Sequence, residues 1–269
     1  MRLSSWSRCL WPYLLVGSMV PKPAVPVGAQ NLQPVGREAA MALRFEELRF
    51  DPPEVQRHVL NGGVTVFLAE DHSLPLVTLY AQLKGGYSRL PRDFYAAALA
   101  MPSLLRTGGT MSLPPDSVDR IIDFYALQFT FGGGGQSNSS SVNTLTQHLD
   151  PAVELWTEIL RNPRFDSGEV EVWRDRQKES LRRGGDDPGR LAISEFNRIM
   201  FGDHPIGWNL NEQDLSLERY NPQAVFEVHS RVFCRENLIL GVVGNTRWSQ
   251  VGPLLEEMVS GWPPCSGAL

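Results

Sequence analysis

Residues Ala96 to Thr110 read AAALAMPSLLRTGGT, and the rest of the chain is best read outward from them. Alanine, leucine and methionine fill the stretch, which predicts an apolar helix over about 93–107 closing on Gly108-Gly109-Thr110. Pro102 sits inside it and predicts a kink, because proline has no N–H to give the preceding turn. Upstream, Leu76-Val77-Thr78-Leu79-Tyr80-Ala81-Gln82-Leu83 mostly alternates apolar and polar as a strand does, and it leads into Lys84-Gly85-Gly86-Tyr87-Ser88-Arg89. Further upstream, His58-Val59-Leu60 and Val64 to Leu68 flank Asn61-Gly62-Gly63, a hairpin signal.

Downstream, Pro114-Pro115-Asp116 opens a second helix with Val118, Ile121, Ile122 and Tyr125 at helical spacing. Leu127 to Phe131 and Ser140 to Leu145 read as a strand pair around the Gly132–Gly135 run. Asp150-Pro151 is expected to cap a helix carrying Val153, Leu155, Trp156, Ile159 and Leu160. Helices over about 167–183 and 190–200 follow, then one opened by Asn221-Pro222, a buried strand Asn237–Val243, and a last helix after Ser249. The order β-β-β-α-α-β-β-α-α-α-α-β-α predicts an α+β fold with a largely antiparallel sheet packed against helices.

The chain has 269 residues, 42% of them hydrophobic and 20% charged, with a net charge of −5. That is ample for a buried core and gives no basic footprint for nucleic acid. No apolar run reaches the ~18 residues of a membrane span. The N-terminus differs: Arg2 and Arg8, the apolar Leu10–Val16, and Val27-Gly28-Ala29 follow the order of a secretory signal peptide. The expected organisation is a signal peptide over 1–29, a flexible leader over 30–44, a folded domain over 45–262 and a tail over 263–269. The competing readings of the leader are a disordered segment and a start at Met41. Of three cysteines, Cys9 would leave with the signal. Cys234 and Cys265 remain, and spacing alone does not decide whether they pair.

Several segments taken in order resemble the pitrilysin/insulinase-type peptidases, which include the mitochondrial processing peptidase. They are Leu60-Asn61-Gly62-Gly63-Val64-Thr65-Val66, Glu70–Val77, Lys84–Arg89, Thr144–Asp150, Arg161-Asn162-Pro163-Arg164-Phe165, Asp186-Asp187-Pro188, Phe201-Gly202-Asp203-His204-Pro205, Tyr220-Asn221-Pro222, Asn237-Leu238 and Val243-Gly244. The resemblance covers roughly residues 45–262 and implies the family's N-terminal metalloenzyme-type domain. In active members a helix in the place of Ala96–Leu105 carries His-x-x-Glu-His: two imidazoles bind zinc, the glutamate activates water, and a glutamate from a later helix completes the site. No register across Ala96–Leu105 places a His or Glu in that motif, and no two of the five histidines stand four residues apart. On the later helix Glu171 and Glu179 are the equivalents of the third ligand. Without partners they read as solvated carboxylates, Glu179 lying one turn before Arg182 and Arg183.

The resemblance therefore implies no catalytic, cofactor-binding or metal residue in this chain. It implies a non-catalytic subunit or domain that helps bind or enclose extended polypeptide, with zinc only in a catalytic partner of the same family. The alternatives are a zinc metalloendopeptidase with unrecognised ligands and an exported binding or structural module with no proteolytic partner. The expected location is periplasmic or extracellular.

Other motifs read more plainly as structure. Gly132–Gly135 lacks the Gly-Lys-Ser/Thr of a phosphate loop and is expected to be a flexible turn. His204-Pro205 reads as a structural loop. Asp71-His72-Ser73 holds triad-type residues, but adjacency in sequence is not triad geometry. Asn138-Ser139-Ser140 is formally a glycosylation sequon. Asp186-Asp187-Pro188 reads as a turn starting a helix N-cap, and Trp156 and Trp173 as core or interface residues.

Overall fold

A six-stranded sheet lies under a layer of helices in the computed structural model, which describes residues 52–265 together with Gly36 and Met41. The signal peptide expected over 1–29 and nearly all of the leader over 30–44 lie outside the described residues. Strands β1 (Gln56–Val59), β2 (Thr65–Glu70) and β3 (Leu76–Lys84) precede helices α1 (Tyr95–Thr107) and α2 (Pro115–Tyr125). Strands β4 (Gln128–Gly133) and β5 (Ser137–Leu145) come next. Helices α3 (Leu149–Arg161), α4 (Ser167–Gly184), α5 (Pro188–Phe201) and α6 (Pro222–Val232), strand β6 (Leu238–Gly244) and helix α7 (Trp248–Ser260) complete the order.

The sheet order is β1-β2-β6-β3-β5-β4. Four of its five pairings are antiparallel, and β2 with β6 is parallel. The α+β reading with a largely antiparallel sheet holds. Side-chain alternation makes the sheet two-faced. Val77, Leu79, Ala81 and Leu83 of β3 and Leu238, Leu240 and Val242 of β6 are buried, while Phe67, Tyr80 and Val243 point to the open face. The core fills the space between the buried face and helices α1, α3, α6 and α7.

Local chemistry sets many of the boundaries. Gly62 (φ 91°) and Gly63 (φ 87°) take the left-handed conformations that turn β1 into β2. Asp187 caps α5 by accepting from the Gly189 and Arg190 amides, and Asn221 caps α6 by accepting from Ala224. One expectation changes. Asp150-Pro151 is not a cap: a short 3₁₀ turn at Thr146–His148 runs into α3, so Asp150 lies in its first turn, where a carboxylate still favours the dipole. Helix α1 runs from Tyr95 to Thr107 with Pro102 inside it.

Candidate functional site

Helix α1 sits where the sequence places a zinc-binding helix, and its side chains are committed to packing. Ala96, Ala97, Ala100, Met101, Leu104 and Leu105 are buried within the core. Every pair of residues four apart from Ala96 to Leu105 is free of imidazole and carboxylate: Ala96 with Ala100, Ala97 with Met101, Ala98 with Pro102, Leu99 with Ser103, Ala100 with Leu104, Met101 with Leu105. Small alanines let the helix lie close on the sheet, and the Pro102 ring fills space over β4. A Cβ placed on Gly133 would lie 2.6 Å from Pro102 Cγ.

The C-terminal end of α1 is held by the Arg161–Phe165 segment. Thr110 bridges Pro163, the Met111 amide donates to the Asn162 carbonyl at 2.8 Å, and the Arg164 and Asp166 amides donate to Gly109 and Gly108. Phe165 adopts φ 49° and buries its ring.

The glycine run is not a free turn. Tyr87 and Ser88 amides donate to the Gly134 and Gly135 carbonyls at 3.2 and 3.0 Å, and the Gly85 amide to Gln136 at 2.9 Å. A Cβ on Gly86 would collide with the Gly134 carbonyl and approach Gly135 C to 2.7 Å. Glycine is needed here for close approach of two backbones, which fixes the loop ahead of α1 to the β4–β5 turn. The Asn138 amide, buried, donates to the Gly85 carbonyl at 2.9 Å, so the formal sequon is occupied by packing.

Helix α4 lies nearby, with Glu171 and Glu179 both paired to arginines. Glu171 meets Arg174 at 3.5 Å, and Glu179 accepts from Arg183 at 2.9 Å with Arg182 at 3.9 Å. Glu179 lines a cleft of about 650 Å³ whose charged walls are Asp175, Arg176, Arg183 and Arg190. A third ligand held by guanidinium groups, opposite a helix of alanine and leucine, does not fit zinc.

The histidines go elsewhere. His58 stacks on Trp248 at 3.7 Å. His72 bonds Asn245 through Nδ1 at 2.7 Å and faces Glu70 through Nε2 at 3.3 Å. Ser73 instead bonds Asp71, which holds that carboxyl below its ordinary range, so Asp71-His72-Ser73 forms no triad. His204 Nδ1 accepts from the Ile206 amide, and its side chain borders a cleft of about 600 Å³ with Lys84 and Arg89. His229 is buried against the Leu160 carbonyl. Among the described residues, one grouping of potential ligands comes together: Cys234, Glu236 and Cys265. Its two cysteines are joined in a disulfide with Cα atoms 4.8 Å apart, which removes their thiolates. That bond, with the Cys265 amide donating to Glu236 and the Trp262 indole to Phe233, ties residues 262–265 to the body.

A polar cluster escaped the sequence reading. Asp214, 2% exposed, meets Arg92 at 2.7 Å and Arg219 at 3.7 Å, while the Arg92 guanidinium lies over the Tyr95 and Trp208 rings. Burial raises the Tyr95 hydroxyl to about 12. Arg92 and Asp214 are 122 residues apart, and no local pattern announces the pair.

No family model matches this chain. Over 115 residues, 43% of its length, it is 27% identical to an uncharacterized zinc protease of Mycobacterium leprae, and equally to one of Mycobacterium tuberculosis. The chain spans about a quarter of these curated relatives, 26% of each. Among solved structures it is similar to a peptidase M16 inactive domain from Pseudomonas fluorescens, with TM-score 0.70 and 18% identity, covering 80% of this chain and 53% of that one. A protease from Helicobacter pylori gives TM-score 0.69 and 17% identity over 81% of this chain and 52% of its own. The first half of the periplasmic protease PqqL from Escherichia coli gives TM-score 0.66 and 16% identity over 80% and 48%. The fold is that of the M16 peptidase domains, and the resemblance drawn from the sequence is borne out.

Proposed function

We propose that this M16-type fold serves as a non-catalytic half that binds or encloses extended polypeptide while a partner supplies the zinc. One observation carries the reading: the helix that presents ligands in the active enzymes is here apolar core, with Pro102 packed over Gly133 and Glu171 and Glu179 of α4 paired to arginines. The scaffold persists where the reactive groups do not. What remains usable is backbone. Strand β4 is an edge of the sheet, paired to β5 on one side alone among the described strands, and α1 packs beside it. An extended chain adds to such an edge through main-chain hydrogen bonds and needs no reactive side chain.

Export accords with the Cys234–Cys265 disulfide, a bond that persists in oxidising compartments, and with the N-terminal order of basic, apolar and small residues. No helix of the described residues is long and apolar enough to cross a membrane. The test is amide hydrogen exchange with and without casein, an unfolded polypeptide. Added protection confined to Gln128–Gly133, with the casein left uncut, is the expected result. Unchanged exchange in β4 at saturating casein would overturn the polypeptide-holding role.

A further inference from the structure

Of three clefts in this acidic chain, two carry carboxylates on their walls. Asp175 and Glu179 line the one beside α4, and Asp150, Glu154, Glu158 and Glu257 line one of about 900 Å³ against α3 and α7. The third, the cleft of about 600 Å³ that His204 borders, holds Lys84 and Arg89, and among the described residues no aspartate or glutamate lines it. Its walls are ordered segments. Lys84 ends β3 in register with Ser137, the Tyr87–Arg89 turn packs against Pro205–Gly207, and the Tyr87 ring meets Tyr95 edge-on at 5.1 Å.

Three backbone amides around the glycines are already spent, Gly85 donating to Gln136, Tyr87 to Gly134 and Ser88 to Gly135. The Ser88 hydroxyl also donates to the Gly135 carbonyl, and the Asn237 side-chain amide to the Val232 carbonyl. These N–H groups therefore build no main-chain cradle for a phosphate. No aromatic ring lines the cleft to stack a nucleobase. Side chains supply what an anion needs instead. The Ile206 amide donates to His204 Nδ1 at 3.2 Å, so the proton of the neutral ring sits on Nε2. That N–H and the Gln136 side-chain amide join the positive charge of Lys84 and Arg89 around one space. A carboxylate, with two oxygens that accept charge-assisted hydrogen bonds, matches such a set.

Position names the source of the carboxylate. Strand β4 ends at Gly133, and the Gly134–Gln136 turn leads from it into the cleft wall. An extended chain lying on β4 and running past Gly133 arrives at Gln136.

We propose that this cleft takes a carboxylate of the bound polypeptide, from its C-terminus or from an acidic side chain. This rests on the function proposed above and adds what part of the polypeptide is recognised. The test is isothermal titration calorimetry of the full chain with acetylated twelve-residue peptides of serine, valine and threonine. One is amidated and neutral, one ends in a free carboxylate, and one is amidated with a single internal glutamate. A carboxylate form should bind at least tenfold tighter than the neutral peptide, and which form gains identifies the source. Lys84→Gln should reduce that gain to under twofold and leave the neutral peptide's affinity unchanged, and Lys84→Arg should restore it. If all three peptides bind equally, the cleft takes no carboxylate and the polypeptide-holding role survives. A gain that persists in Lys84→Gln would put the carboxylate elsewhere. Binding of inorganic phosphate at millimolar concentration, with no gain from either carboxylate peptide, would overturn the ligand class. If neither these peptides nor casein bind, both readings fall.

Discussion

Acidification should destabilise this protein in part through one imidazole. His229 on α6 is 5% exposed, its ring stacked 4.5 Å from Phe233 with Phe165 edge-on at 5.7 Å. Nε2 lies 2.9 Å from the Leu160 carbonyl, which can only accept, so Nε2 carries a proton. Burial lowers its pKa from 6.5 to about 4, opposed in part by that carbonyl. Above pH 6.5 neither folded nor unfolded chain holds the extra proton. Between 6.5 and about 4 the unfolded chain binds it and the native protein does not, so stability falls as pH falls. At 1.36 kcal/mol per unit the loss is about 1.4 kcal/mol at pH 5.5 and roughly 2.5 kcal/mol at pH 4.5. Urea unfolding of the wild type and His229→Gln isolates this contribution, because other titrations cancel in the difference. Glutamine keeps a donor for Leu160 but does not titrate. The wild type should lead at pH 7.5 and lose roughly 2.5 kcal/mol of that lead by pH 4.5. A lead that stays constant across the range would refute the reasoning.

The Cys234–Cys265 bond closes a separation of 31 residues, for which the chain-entropy relation gives about 3.5 kcal/mol. Reductant, or Cys234→Ser with Cys265→Ser, should therefore lower the melting temperature by roughly 10 °C, measured by scanning calorimetry; an unchanged transition would contradict the tie. Gly86→Ala should cost about 3 kcal/mol through collision with the Gly134 carbonyl. Gly134→Ala, whose Cβ meets only the Ser137 carbonyl at 3.8 Å, should cost under ~1 kcal/mol in chemical denaturation.

What the sequence disclosed and what it withheld divide along contact range. The β1–β2 hairpin, the caps at Asp187 and Asn221 and the order of elements were legible because each depends on residues within a few positions. The place of β6 between β2 and β3 was not, since its pairings join segments more than a hundred and fifty residues apart. The same holds for Arg92 with Asp214, and for the glycine run, whose need for glycine comes from the Gly85–Ser88 backbone rather than from its own turn. Helix α5 was expected as a helix, but periodicity gives a stripe without saying whether it faces inward. Helix α1 continues on both sides of Pro102, whose ring is accommodated above Gly133 because that position has no Cβ. For the candidate site, sequence sufficed to show the missing ligands, and the arginine partners of Glu179 stand one turn away where helical spacing puts them.

Zinc stoichiometry tests the central claim most directly. Protein purified without chelators, dialysed against micromolar zinc and then against metal-free buffer, should hold less than about 0.1 zinc per chain and leave casein uncut. Close to one zinc per chain, lost together with casein cleavage when Glu171 and Glu179 are changed to glutamine, would contradict it.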